Sequence, residues 1–252
     1  MIRKRVLVLV ASLGFVAALP TAGFAQTELV TNGGFETNTG NGQLGYNTSA
    51  TGWSISGGYT FLFNPQGGTV SGSSADNSGA NGQYGYLYLH GPGNGTSNGL
   101  TNSPTGGAFI AQDSAFQQAA ITQTITGLTA GHTYALSFDW AAAQQSGFTG
   151  PTYDAWQVSL GGQTQTTATI NNASHAFSGW QHQVFDYTAT SSTETLSFFA
   201  TGGPQGVPPF ALLDSVSMKA VPETGSGVAM LMGVAGFGIF ARRRAQSKKS
   251  RS

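Results

Sequence analysis

Aromatic rings, amides and carboxylates are the side chains able to do chemistry in this chain, which has no cysteine. The segment from 140 to 156 gathers Trp140, Gln145, Tyr153 and Trp156 around the loop QQSGF. Sugar-binding sites lay a pyranose against an aromatic face and read its hydroxyls with amides and carboxylates. These four residues fall at the end of one expected strand and the start of the next, so they would share a rim and form such a site. Trp53 and Trp180 sit at strand starts and read as core. Tyr84, Tyr86 and Tyr88 share one strand face, as either a core stripe or a wetted face carrying three hydroxyls.

Catalysis has little to stand on. A glycosidase needs two carboxylates facing across a bond, and none of the ten acids has a neighbour that marks it. No G-x-S-x-G is present, and His90, His132, His175 and His182 lack H-E-x-x-H spacing. His182 alternates into a solvent-facing row. The residues point to binding without turnover, so the chain is expected not to be an enzyme.

The formal net charge of +0 conceals a strong asymmetry. Nine of the ten basic residues lie in Arg3 to Arg5 and Arg242 to Arg251, which leaves Lys219 alone among ten acids between them. An acidic middle repels phosphate backbones and argues against nucleic acid. Converging carboxylates would instead attract divalent cations.

The start, MIRKRVLVLVASLGFVAALPTAGFAQ, has a basic head, an apolar run and small residues before Gln26. It reads as a signal peptide over 1–25. At the other end, VPETGSGVAMLMGVAGFGIFARRR joins a short polar motif, an apolar run just able to span a bilayer as a transmembrane helix, and an arginine cluster. The arginines would stay cytoplasmic, followed by a basic tail at 245–252. These three parts over 221–244 resemble the PEP-CTERM sorting signal, which implies an exosortase-type membrane protease as processing partner. Val221, Pro222 and Glu223 match the motif, whereas Thr224 stands where a second proline is usual. The same residues resemble a sortase signal with Val221 in place of leucine. The short Gly-rich span and the absence of a long linker favour the first, and an unprocessed membrane anchor is the plain alternative.

Between the ends, period-two alternation dominates. Ile121, Gln123 and Ile125 alternate with threonines, and Tyr134, Leu136 and Phe138 follow after a Gly-containing loop. This reads as a hairpin. Trp156 to Leu160 and Thr164 to Ile170 flank Gly161-Gly162 as a second, and Gln181 to Ala189 with Thr193 to Ala200 form a third. Phe210 to Met218 is a last strand, and Glu28 to Thr31, Gly52 to Ser56 and Tyr84 to His90 are earlier candidates. Gly/Asn/Ser-rich tracts at Thr37 to Ser49, Gly67 to Gly82 and Gly91 to Gly107 read as long surface loops. The expectation is an all-β sandwich over 26–220.

The order NGGFET, GW, YLYLHG, TITGL with GHTYALSFDWA, GWQHQVFDYTA and LLDSVSM resembles the galactose-binding-like jelly rolls of secreted bacterial proteins, similar to carbohydrate-binding modules. The resemblance implies a jelly-roll β-sandwich. It also implies a structural Ca2+ joining the first and last strands, with Glu36 and Asp214 at the matching places. Together these features describe an exported cell-surface or matrix protein whose β-sandwich binds extracellular polysaccharide. The alternatives are a purely structural or adhesive protein and, further off, a secreted glycan hydrolase.

Overall fold

The computed structural model describes residues 26–64 and 74–222. The segment expected to be a signal peptide, Glu223 and Thr224 of the expected sorting motif, the apolar run and the basic tail lie outside them. Among the described residues no helix is long and apolar enough to cross a membrane.

Fourteen strands make up nearly all of the regular structure of the described chain: β1 (Gly42–Gln43), β2 (Ser54–Ile55), β3 (Thr60–Phe63), β4 (Ala80–Gly82), β5 (Gly85–Leu87), β6 (Phe109–Asp113), β7 (Ile121–Thr126), β8 (Thr133–Gln144), β9 (Thr152–Leu160), β10 (Gln163–Thr166), β11 (Ile170–Asn172), β12 (Gln181–Thr188), β13 (Thr193–Gly203) and β14 (Pro209–Ala220). A single short helix, α1 (Ser74–Asn77), and a 3-10 turn at Pro92–Asn94 complete them. One sheet runs β1-β3-β6-β14-β8-β12; the other runs β10-β9-β13-β7-β2, with β11 also on β9. All the pairings are antiparallel. The two sheets enclose one core, so the chain is an all-β sandwich.

That core is aromatic at its centre. Phe198 of β13 meets Phe138 of β8 at 5.1 Å, Trp156 of β9 at 5.9 Å and Trp53 at 6.1 Å, edge to face in each case. Such tilted arrangements match the positive edge of one ring to the negative face of the next. The Trp156 indole N–H donates to the Leu212 carbonyl at 3.1 Å, so its one polar atom is satisfied inside the core.

Only one of the three expected hairpins forms. β9 and β10 pair across Gly161-Gly162, both at positive φ, as a two-residue turn of right-handed twist demands. β7 and β8 belong to opposite sheets, as do β12 and β13. Their connections are arches across the core, and the arches fasten to each other. Gly131 N–H donates to Ala189 O at 2.8 Å, Ala189 N–H to His132 O at 2.9 Å, and Leu128 N–H to Ser192 O at 3.2 Å. Alternation correctly marked these strands but does not distinguish a turn back from a crossing. Of the earlier candidates, Gly52 to Ser56 shrinks to β2 and Tyr84 to His90 to β5, while Glu28 to Thr31 forms no strand.

The expected surface loops also resolve differently. Residues 74–103 lie over the outer face of the first sheet, where Ala75, Ala80, Leu87, Leu89 and Leu100 pack on Phe61, Phe63, Phe109, Ala111, Phe210 and Leu212 in a second apolar cluster. β3, β6 and the adjoining parts of β8 and β14 are therefore buried on both faces, while β12 keeps an exposed outer face. This accounts for the continuous apolar runs of β3 and β6, in which every residue is buried. A strand covered on both sides shows no alternation.

Candidate functional site

The end of β6 turns on its own last residue. Asp113 Oδ1 accepts the N–H groups of Ala115 at 2.8 Å and Phe116 at 2.9 Å, a local bond that ends the strand. The turn sets Phe116 beside two tyrosines. The Tyr59 and Phe116 rings are 5.6 Å apart, Tyr59 and Tyr84 5.8 Å, and Tyr84 and Phe116 6.1 Å. Tyr59 is buried, whereas Tyr84 is 63% and Phe116 43% exposed.

The opposite wall is the loop between β8 and β9. Gln145 N–H donates to Pro208 O at 3.2 Å and Ser146 N–H to Tyr88 O at 2.7 Å. Phe148 is held through its carbonyl, which accepts from His90 Nε2 at 3.1 Å. That bond places the imidazole proton on Nε2 and leaves Nδ1 to accept from the Thr96 hydroxyl at 3.2 Å. The His90 ring lies on His175, centroids 4.1 Å apart, and burial with the neighbouring His175 holds its pKa below the usual value.

These walls enclose a cleft of about 490 Å³ at one end of the sandwich, lined by Tyr59, Tyr84, Phe116, Phe148, Gln145, Gln205 and Asp113. Aromatic faces, two amides and one carboxylate suit a sugar. Asp113 is the one carboxylic acid among the described residues that line it. Burial pushes its carboxyl up to about 6, against the lowering effect of its two backbone bonds. Burial, and then the charge of Asp113, raise the Tyr59 phenol.

The four residues expected to form a rim part company. Gln145 lines the cleft. Trp140 and Trp156 are 2% and 0% exposed, in the core, and offer no face to a ligand. They fall on the inward register of β8 and β9, which a chain-order argument does not reveal. Tyr153 is exposed but outside the cleft, its hydroxyl against Gly203, where a Cβ would stand only 2.7 Å from it. Trp53 is buried as expected, and Trp180 packs on Phe109 and Phe177. Tyr84 and Tyr86 take the exposed alternative. Phe148 belongs to the loop QQSGF that the sequence already singled out, whereas Phe116 escaped the sequence reading, although it is a lone large ring among small and amide residues, the available signal. His182 is solvent-facing and bonds Asp139 at 2.9 Å.

Glu36 and Asp214 do converge. A Cβ on Gly34 would stand 3.8 Å from both the Asp214 Oδ1 and the Glu36 Cγ. Glu36 Oε1 accepts from Ala108 N–H at 2.8 Å, while Asp214 Oδ2 takes the hydroxyls of Ser103 and Thr105. Asp214 Oδ1 is buried without a hydrogen-bond partner. Among the described residues no group of three His, Asp or Glu side chains gathers around one point.

No family model and no curated protein matches this chain. Among solved structures, the module TmCBM61 in complex with beta-1,4-galactotriose is similar at 15% identity and a TM-score of 0.39, covering 77% of this chain and 99% of that one. The CBM22-1 xylan-binding domain of Paenibacillus barcinonensis Xyn10C is similar at 13% and 0.39, covering 81% and 100%. The arabinose-bound arabinofuranosidase MgGH51 gives 12% and 0.43, with 79% of this chain and 27% of that chain. Likeness at this level names no ligand for this chain.

A second acid lies behind the cleft. Asp154 on β9 is fully buried, hydrogen-bonded by the Ser114 hydroxyl, with Oδ2 unpartnered. Burial raises its pKa well above the usual range, and the nearby Asp113 adds to this. Both acids bind their proton more tightly folded than unfolded. Their contribution to stability is thus complete below about pH 4 and lost as pH rises, through about 6 for Asp113 and beyond for Asp154. Asp154→Asn should leave Tm near pH 4 almost unchanged and raise it at pH 8. Each pKa unit removed is worth about 1.4 kcal/mol, or some 3–5 °C in a domain of this size. Calorimetry at the two pH values checks this, and an equal shift at both would refute it.

Proposed function

We propose that this is an exported, non-catalytic surface or matrix protein whose galactose-binding-like jelly roll holds an uncharged polysaccharide in the cleft at the sandwich end. The observation that carries the reading is the exposure of Tyr84, Phe116 and Phe148 around one concave site. Large rings left in water are costly unless a ligand covers them. Gln145 and Gln205 supply donors and acceptors for hydroxyls, and the Asp113 carboxylate, ionised above about pH 6, disfavours anionic sugars. Export rests on the basic-apolar start of the chain. Sorting by an exosortase-like protease, with the apolar run as a temporary membrane anchor, rests on the residues from Val221 to Arg244.

A structural calcium fits the pair Glu36 and Asp214. The unpartnered, buried Asp214 Oδ1 is an acceptor with no donor, which a cation would satisfy. The ion would bind these carboxylates with help from neighbouring hydroxyl and carbonyl oxygens. It would tie the N-terminal segment to β14.

Titration of the full chain with neutral glycans and with polyuronates tests the binding reading. Saturable binding of a neutral polymer is expected, weakened about tenfold, or ~1.4 kcal/mol, by Tyr84→Ala; no binding to any glycan would leave the structural or adhesive alternative. Removing calcium with a chelator should lower Tm by about 5–10 °C if the ion is present at 100 times its Kd. Glu36→Gln should abolish that response, and an unchanged Tm on chelation removes the metal. Intact mass of the native protein should end near Glu223 or Thr224. A full-length C-terminus in the membrane fraction would make the segment a plain anchor.

A further inference from the structure

Beside the aromatic cleft lies a second depression of about 410 Å³, lined by Gln43, Tyr46, Ser56, Gln83, Gln117 and Gln118 together with backbone glycines. No charged side chain lines it. The two depressions share one strip of chain, since Ala115 and Phe116 line the first and Gln117, Gln118 and Ala119 the second. Consecutive Cα atoms are about 3.8 Å apart, so the compartments adjoin.

The wall between them is a hydrogen-bonded relay. Gln83 Nε2 donates to Gln117 Oε1 at 2.6 Å, and Gln117 Nε2 donates to the Tyr84 hydroxyl at 2.9 Å. Tyr84 faces the first compartment, and both glutamines face the second. The relay fixes the orientation of the exposed Tyr84 ring from the far side. The second floor is equally set: Gln43 bonds Gly58 O at 2.9 Å and accepts Gln83 N–H at 2.9 Å, while Gln118 Nε2 bonds Ser114 O and Ala200 O at 2.6 and 2.9 Å. At its mouth Tyr46 is 61% exposed.

We infer that the second depression is a further glycan subsite, so that the protein grips an internal stretch of a neutral chain across both compartments. The inference rests on the binding function proposed for the first cleft. The chemistry divides between them: the first stacks sugar rings on Tyr84, Phe116 and Phe148, and the second reads hydroxyls with preset amides and one tyrosine face. Two adjoining depressions without a cationic side chain suit an uncharged polymer segment long enough to lie across both.

The test is calorimetric titration of the full chain with cello-, xylo-, manno- and galacto-oligosaccharides of two to six units. For the series that binds, affinity should rise at least tenfold from the shortest binding oligomer to the hexamer. Tyr46→Ala should abolish that rise and leave the affinity of the shortest binding oligomer unchanged; the exposed ring makes the variant safe for folding. Gln83→Ala, which breaks the relay, should weaken short and long oligomers alike. Equal affinity at all lengths, with Tyr46→Ala silent, overturns the second subsite and leaves the first cleft standing. Failure of every oligomer and polymer to bind overturns the binding function itself.

Discussion

Burial of the middle of the first sheet on both faces is the constraint from which the rest follows. β3, β6, β8 and β14 carry apolar side chains on each side: Leu62, Ile110 and Leu213 turn inward, and Phe61, Phe63, Phe109 and Leu212 outward. Each such side chain left in water would cost about 1.5–3 kcal/mol. The inner face is met by the second sheet, with Phe198 and Trp156 at the contact. The outer face meets no second large sheet, so residues 74–103, including the small β4–β5 sheet, are drawn over it.

The candidate site is a consequence of that cover. To span the sheet, the covering chain must cross to the end of β8, and there it is stitched down. His90 N–H bonds Gln144 O at 2.9 Å, and the Ser146 bond to Tyr88 follows one step on. The stitch carries the loop holding Gln145 and Phe148 to one side of the cleft, while the tip of the β4–β5 hairpin brings Tyr84 to the other. Asp113, ending β6, supplies Phe116. No element exists for the cleft alone, and the cleft exists because the cover must end somewhere.

A second consequence concerns charge. With one lysine among the described acids, buried carboxylates have almost no cation to pair with. They are stabilised by hydroxyl and backbone N–H donors, as Asp154 is by Ser114 and Asp113 by Ala115 and Phe116. Neutral donors offset burial incompletely, which is why both pKa values rise while better-served Glu194, with three donors from Thr190 and Ser191, stays low. The same poverty of cations leaves both depressions without a group that would attract an anion.

What the sequence determined alone is what repeats locally. Period-two alternation marked β7, β12, β13 and the uncovered parts of β8 and β14, because these have one face in the core and one nearer solvent, and Gly161-Gly162 marked the one expected hairpin that forms. The same reading passed over β3 and β6, whose double burial erases alternation, and misjudged the Gly-rich cover, whose few apolar anchors are widely spaced. Only the tertiary structure decided which strands share a sheet, because an arch and a hairpin need similar loop residues. It also decided the site. Trp140 and Trp156 fall on the inward register, while Tyr59, Tyr84, Phe116 and Phe148 meet from four separate stretches of chain, a convergence created by packing and not by spacing along the sequence.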